Sequence, residues 1–451
     1  MHLPGGGDGS VIAATGAGSQ ARGAARPPVT VGVRAGSAGA AAIKAPPPLL
    51  PAEHFGAALL FLLLGASGLI VVAPELAAGA FVSPRVAGVT HLFTLGWITT
   101  SIMGALYQFL PVALGEPIRS VRLAHATFVL YVPGLSAFVA GLVTSAHAVM
   151  LVGAASFGTG ILLFAGNLAG ALKAAKRRDV TWWALACADV FLVITLLFGL
   201  ALTGNLRWGY LGDGRLSALG VHLHVALAGW VLMVMIGVVQ RLLPMFLLSH
   251  GAGDRSARVA VACVGAGTGV LAILHHAPAL ISHWTPAVLI AVGVAAFLMQ
   301  ARAFYAHRHR PSLDPGMRLA AGALGVLALA LVLAWPVLLG AGARPVTAYV
   351  LTILLGISVF VAAHYYKIVP FLTWYHRFAP QAGRGSTLRV SDLYSARAAR
   401  MAGAALLTGA LVLIAAVTLG WPRSARVGAV VLAAGAGIEA AQMFLLARKH
   451  A

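Results

Sequence analysis

The stretch HLHVALAGWVLMVMIGVVQRLLPMF, residues 222–246, decides the fold class of this chain. Its only charged residue is Arg241, close to the end. An α-helix needs about 20 predominantly apolar residues to cross the hydrocarbon core of a bilayer. The stretch therefore predicts a membrane-spanning helix, and the two histidines near its start need an explanation because such residues are costly inside a membrane.

The whole chain of 451 residues has the same character, with 60% hydrophobic and 9% charged residues and a mean hydropathy of +0.91. Soluble domains carry about 25% charged residues, and 11 acidic residues are too few to solvate a soluble surface of this length. The composition excludes a soluble enzyme and a disordered chain. The net charge of +20 leaves two interpretations, a nucleic-acid partner or a sorting of charge across a membrane.

Twelve apolar runs predict an all-α integral membrane protein with about twelve transmembrane helices. Residues 1–50 differ, since they consist of Gly, Ala, Pro and Ser with scattered Arg. They predict a disordered basic N-terminal arm ahead of a membrane domain of residues 51–451. The predicted spans are 55–74, 88–113, 121–143, 147–172, 180–204, 218–248, 258–277, 283–303, 317–338, 345–372, 398–419 and 426–447.

The basic residues orient these spans. If both termini are cytoplasmic, 25 of the 31 Lys and Arg residues fall on the cytoplasmic side. This asymmetry follows the positive-inside rule of a bacterial-type inner membrane, so the lipid bilayer accounts for the charge and no nucleic acid is needed. The residues left outside are Arg85, Arg207, Arg215, Arg344, Arg423 and Arg426.

The second and sixth spans repeat one pattern. Residues 91–111 read HLFTLGWITTSIMGALYQFLP and residues 224–244 read HVALAGWVLMVMIGVVQRLLP, with His, Gly-Trp, Gly and Leu-Pro at the same offsets. The tenth span keeps a fainter version that ends at Pro370 and has Val350 in place of the histidine. Because these spans are four apart, the sequence predicts three four-helix repeats.

The histidines are the candidate site. His91, His222 and His224 share one predicted depth, near the outer third of the membrane, where imidazole suits a metal. Hydrogen bonding to a nearby carbonyl is the alternative for any one of them. A spacing of two residues puts His222 and His224 about 200° apart around the helix, which favours two centres over one. His91 and His224, at matched positions, are the predicted pair for one haem iron.

Residues 222–246 resemble the H-x-H helix of the catalytic subunit of the haem-copper oxidase superfamily, especially its cbb-type and nitric oxide reductase branches, and residues 90–112 resemble its second helix. The resemblance implies that His91 and His224 bind a low-spin haem b beside Trp97 and Trp230, and that His222 binds a second haem. It implies respiratory electron transfer with O2 or NO chemistry, in which quinol or cytochrome c donates the electrons. It also implies a partner subunit.

The chain also departs from that family, since its H-x-H lies on the sixth span instead of the tenth and no copper motif precedes it. His275 and His276 are either copper ligands or solvated loop residues. The helix order resembles, more loosely, the NnrS-type haem- and copper-containing proteins of the nitric-oxide response. The pattern also allows a multi-pass transporter without haem, or a degenerate relative with an assembly role. No C-x-x-C-H motif occurs, so any haem is bound without covalent attachment.

Three further polar residues lie within predicted spans. Asp189 and Glu439 predict a proton path, or else ion pairs with cations such as Arg241 or Lys367, because an unpaired carboxylate is costly in lipid. His364 lies roughly 21 Å deeper than the outer histidines. It is either a site for quinol or proton entry, with low weight as a metal ligand, or a histidine satisfied by its neighbours.

Overall fold

The computed structural model describes residues 47–274, 284–381 and 388–449. Within them, twelve helices are long and apolar enough to cross a membrane, which confirms the predicted all-α, multi-pass architecture. Each overlaps one predicted span. The helices are α1 (Leu49–Ala77), α2 (Pro84–Leu114), α3 (Val121–Thr144), α4 (His147–Ala174), α5 (Val180–Trp208), α6 (Gly212–Leu247), α7 (Arg255–Leu274), α8 (Trp284–Ala306), α9 (Pro315–Leu338), α10 (Ala343–Phe378), α11 (Ala396–Leu419) and α12 (Pro422–Ala447).

Polar caps set many of the helix ends. Ser83, Ser120 and Asp179 each accept a hydrogen bond from the backbone N–H three residues later, which satisfies one of the free donors at a helix start. Helix α1 begins at Leu49, inside the last two residues of the predicted basic arm. The rest of that arm, up to residue 46, lies outside the described residues.

Every fourth helix is central. In α2, α6 and α10 the most apolar window is 67%, 72% and 72% buried inside the protein, against 28% to 50% for the other nine helices. A helix buried on all sides is apolar all round, whereas the outer helices expose one face to lipid. This arrangement fits the predicted three repeats of four helices, which stay a prediction.

The repeated glycines have a packing role. A side chain at Gly96 would lie 2.6 Å from the Cβ of Phe61 on α1, and one at Gly229 would lie 2.7 Å from the ring of Phe191 on α5. In both places the preceding helix therefore approaches the Gly-Trp step too closely for any larger residue. The same sequence pattern thus produces the same helix–helix contact in α1–α2 and in α5–α6.

Two wide turns follow the histidines. Leu92–Thr99 in α2 and Val225–Leu232 in α6 are π-helical, and they begin immediately after His91 and His224. In α2 the carbonyl of Leu95 also accepts hydrogen bonds from the hydroxyls of Thr100, at 3.0 Å, and Tyr131, at 2.9 Å. Such segments are rare and often accompany functional sites, so this shared distortion marks the outer halves of both helices.

Candidate functional site

A large cavity lies in the predicted outer half of the molecule, between the central helices α2, α6 and α10 and their neighbours α3, α4 and α5. It offers about 240 Å³ to the centres of water molecules, and a single water needs only about 10–15 Å³ of such volume. Its walls are mainly Leu, Val, Ala and Phe side chains with several threonines. The ionisable side chains among its walls are His91, Arg215 and His222.

His91 is oriented by its own helix. Its Nδ1 donates a hydrogen bond to the carbonyl oxygen of Ala87, at 2.7 Å. A carbonyl only accepts, so this bond fixes the tautomer and leaves the lone pair of Nε2 available for a ligand. The ring also packs edge-on against Phe138 of α3, with ring centres 5.3 Å apart. The imidazole is therefore held in one orientation before any ligand binds.

His222 faces His91 across the cavity. Their ring centres are 6.5 Å apart and their planes differ by 28°. With a metal–nitrogen bond of about 2 Å and a ligand nitrogen roughly 1 Å from its ring centre, two imidazoles on opposite sides of one metal ion have ring centres about 6 Å apart. The distance between the two ring centres is therefore close to that of two imidazoles on one metal ion, and the ring planes are nearly parallel.

His222 is positioned by close packing, whereas His91 is positioned by a hydrogen bond within its own helix. A Cβ added at Gly199 of α5 would lie 3.1 Å from Cε1 of His222, so only glycine allows the ring this position without a shift. Its Nδ1 is buried and makes no hydrogen bond, although the backbone carbonyl of Thr195 is close to the ring. One nitrogen of this imidazole is thus left without a partner in the protein.

His224 does not join this pair. Its Nδ1 bonds the carbonyl of Gly220 at 2.8 Å, and its Nε2 lies 3.2 Å from the hydroxyl of Tyr349 on α10. The two rings stack with centres 5.9 Å apart, and His224 is absent from the cavity walls. The structure therefore places His222 beside His91, and His224 beside Tyr349. The haem-ligand pair of His91 and His224 stays a prediction. The two histidines of H-x-H do occupy different faces of α6.

The donor set fits a metal that brings most of its own ligands. In the described part of the chain, no three His, Cys, Asp or Glu side chains are grouped to hold a metal ion. An ordinary zinc or copper site takes three or four protein ligands, which two facing imidazoles do not supply. Haem iron takes four nitrogens from its porphyrin and needs only axial ligands from the protein. The two histidines and the apolar walls match that requirement.

The two repeated tryptophans differ in position. Trp230 lines the cavity and donates its Nε1 hydrogen to the hydroxyl of Thr99, at 3.2 Å. Trp97 is fully buried outside the cavity, where its Nε1 donates to the carbonyl of Ser358 at 3.3 Å and its ring lies against Tyr365. Only Trp230 is therefore placed to touch a group bound in the cavity.

The predicted ion pairs of the membrane carboxylates do not form. Arg241 pairs with Asp179 and Lys367 pairs with Asp314, all four near the predicted cytoplasmic side. Asp189 on α5 keeps one buried oxygen without a hydrogen bond. Glu439 on α12 is 0% exposed, and neither of its oxygens has a hydrogen-bond partner. Neither carboxylate lines the cavity.

His364, the other predicted ligand among the described residues, is not at this site. His364 is buried on α10, donates from Nδ1 to the carbonyl of Phe360 at 2.8 Å, and packs against the rings of Phe246 and Phe360. It does not line the cavity. The copper candidates His275 and His276 lie outside the described residues.

Sequence reasoning missed three contributors to this region. Arg215 lines the cavity at the start of α6 and has no ion-pair partner among the described residues. The hydroxyl of Tyr349 is the hydrogen-bond partner of His224 Nε2. The run Thr99-Thr100-Ser101 places hydroxyls at and below the floor of the cavity. The available signal was position, since Arg215 is one of the few basic residues on the predicted outer side and Tyr349 precedes Val350 in the third repeat.

No model of a known protein family matches the chain, and no curated protein matches it. The function is therefore inferred from the residues and from the geometry of the cavity.

Proposed function

We propose that this protein is a haem b-binding membrane protein in which His91 and His222 are the two axial ligands of one haem. The observation that carries the proposal is the 6.5 Å separation of the two rings inside a large apolar cavity. The resemblance of residues 222–246 to an H-x-H helix of haem-copper oxidases supports the same cofactor. That resemblance assigns His224 as the partner of His91, whereas the geometry favours His222.

The chain's own residues would bind, orient and shield this group. When bound, haem supplies one-electron chemistry. The hydrogen bond from His91 to Ala87 holds one ligand ring, and the contact with Gly199 holds the position of His222. Apolar walls exclude water, which stabilises the less charged form of a redox centre. Arg215 lies at the outer end of the cavity, where its guanidinium would pair with the carboxylate groups of a bound haem.

Electron transfer is the function that this site supports best. Two imidazoles fill both axial positions of an iron, which suits electron transfer better than the binding of a gas. Reduction of O2 or NO would need a second, open metal site, and the copper candidates His275 and His276 lie outside the described residues. A quinol or cytochrome c donor, a partner subunit and a bacterial-type inner membrane with both termini cytoplasmic belong to the same proposal.

The optical spectrum of the purified protein, reduced minus oxidised, tests the cofactor and its ligands together. We expect sharp bands of a six-coordinate haem b in the wild type. His91→Ala and His222→Ala should each remove the six-coordinate spectrum, since each deletes one axial ligand. His224→Ala should retain it, because that ring bonds Tyr349 and lies outside the cavity.

His224→Ala is the matched control, since it removes the same side chain two residues away on the same helix. Loss of the spectrum in His224→Ala but not in His222→Ala would restore the ligand pair predicted from the sequence. A folded protein that purifies without colour would end the haem proposal and favour a transporter. Copper in the purified protein, lost on substitution of His275 and His276, would favour the NnrS-type alternative.

A further inference from the structure

Glu439 is the most unusual ionisable residue outside the cavity. It lies on α12, is completely buried, and has no hydrogen-bond partner for either oxygen among the described residues. Lys367, a cation that could have neutralised it, is paired with Asp314 instead. An ionised carboxylate buried without a cation or a hydrogen-bond donor is strongly disfavoured. The surroundings of Glu439 therefore decide its charge.

Two tyrosines of α10, Tyr365 and Tyr366, lie in this region, because Tyr366 contacts Gln442, about one helical turn beyond Glu439 on α12. Helices α1 and α11 also pack on α12, and none of their described side chains bonds the Glu439 carboxyl group. A tyrosine that already donates its hydrogen to another group cannot donate it to Glu439. The direction of each tyrosine's hydrogen bond therefore matters.

Tyr365 uses its hydrogen elsewhere. Its hydroxyl lies 2.8 Å from the hydroxyl of Ser101 on α2, and Ser101 donates its own hydrogen to the carbonyl of Trp97 at 2.6 Å. A serine hydroxyl has one hydrogen, so Tyr365 must be the donor in the first contact. The oxygen of Tyr365 is then left with lone pairs only, and it accepts from any further partner.

Tyr366 is in the same situation. When the amide of Gln442 is oriented to satisfy both neighbours, its nitrogen donates to the carbonyl of Ser395 at 3.1 Å and its oxygen accepts from the hydroxyl of Tyr366 at 3.0 Å. Ser395 is exposed at the start of α11, on the predicted cytoplasmic side. Neither tyrosine therefore has a hydrogen left to donate to a carboxylate at Glu439, whose oxygens have no partner among the described residues.

We propose that Glu439 is a proton-binding site, neutral at pH 7, within a column of polar groups that leads from Ser395 at the surface through Gln442 and Tyr366 and on to Tyr365 and Ser101. Ser101 lies two residues from Thr99, which lines the cavity and bonds Trp230. The column thus runs from the predicted cytoplasmic side toward the segment of α2 that carries Thr99. The proposal does not depend on which group the cavity binds.

Infrared spectroscopy of the wild-type protein in liposomes at pH 7 tests the charge of Glu439. We expect the difference between the wild type and Glu439→Gln to contain the carbonyl band of a neutral carboxylic acid. A pair of carboxylate bands in its place would overturn the proposal. Glu439→Asp serves if the glutamine variant does not fold, because a neutral acid should then persist with its band moved in frequency.

Hydrogen–deuterium exchange of that same band tests the column. Transfer into D2O should shift the band rapidly in the wild type, and Tyr366→Phe should slow the shift at least tenfold because it breaks the link to Gln442 and the surface. The matched control is Tyr349→Phe, whose hydroxyl bonds His224 in the outer half, and its exchange should equal that of the wild type. Equal rates in all three proteins would overturn the column. Neither measurement requires haem, so failure here is distinct from failure of the proposed function.

Discussion

Five of the described histidines form the same local hydrogen bond, from Nδ1 to the carbonyl oxygen four residues earlier in the helix. They are His54, His91, His224, His307 and His364. The bond fixes a tautomer, yet it occurs on a surface histidine as readily as on a buried one. What distinguishes His91 is the group opposite it, a second imidazole across an apolar cavity. A ligand assignment must therefore rest on the partner of Nε2.

Arg215 is the residue for which the geometry makes a new prediction. Replacing Arg215 by Gln removes the cation beside the carboxylate groups of the bound haem. The binding of haem should weaken by about 1 kcal/mol, which is a roughly fivefold loss of affinity. The expected loss is small because the Arg215 side chain is only partly buried, so that solvent screens its charge. Transfer of haem to an excess of a soluble haem acceptor measures the change.

Arg207→Gln is the control for this experiment. Arg207 ends α5 on the same predicted side, but it is exposed and does not line the cavity. Equal transfer rates in the two variants would show that Arg215 acts only through the general charge of the outer surface.

The residues of the site could be predicted from the sequence better than their pairing could. Histidines in apolar runs identify themselves by their cost in a membrane, and the spacing of two residues separates His222 from His224 on any helix. The rotation of α6 is set by long-range packing, such as Gly199 of α5 against His222 and Tyr349 of α10 against His224. Those contacts join residues far apart in the chain, so no local pattern contains them.

At the scale of helices, the close contact at the Gly-Trp step can be tested directly. Gly96→Ala should destabilise the protein by about 1–3 kcal/mol, since the new methyl group would lie 2.6 Å from Phe61 and something must shift. Gly229→Ala should behave alike because its methyl group would meet Phe191 at 2.7 Å. Thermal unfolding in detergent measures both effects.

Gly166 on α4 provides the control, because a Cβ there meets no atom within 4 Å. Its replacement by Ala should change stability by no more than about 0.5 kcal/mol in the destabilising direction. If Gly96→Ala and Gly229→Ala were as mild as this control, close packing would not explain why both spans carry Gly-Trp.

The π-helical segments show where a sequence pattern stops being informative about a helix. The apolar runs of α2 and α6 predict regular spans over residues 88–113 and 218–248, whereas the helices extend over Pro84–Leu114 and Gly212–Leu247. In α2 the carbonyl of Leu95, within the wide turn, accepts a hydrogen bond from Tyr131 of α3, outside the regular ladder. A contact with a partner so distant in sequence is visible only once α3 has been packed against α2.

For the whole molecule, the distribution of aromatic residues agrees with that of charge. Trp208, Trp335 and Trp421 are exposed at helix ends that the basic residues assign to the outer face. Tryptophan favours the interface between lipid and water, so these side chains mark one edge of the apolar band. Trp183 is exposed at the opposite end of α5, so tryptophans mark both edges of the apolar band. Which edge is external stays a prediction from the basic residues.

Cysteine labelling in intact cells tests which face is external. The first turns of α11 and α12 lie on opposite predicted sides and carry the exposed residues Arg397 and Arg423. In a background with Cys187 and Cys263 replaced by Ser, a membrane-impermeant maleimide should label Arg423→Cys. It should label Arg397→Cys only after the cells are opened, because the positive-inside rule places that turn in the cytoplasm. The reverse labelling pattern would show that the protein has the opposite orientation in the membrane. The cavity would then open to the cytoplasm, and the polar column of Glu439 would begin at the exterior.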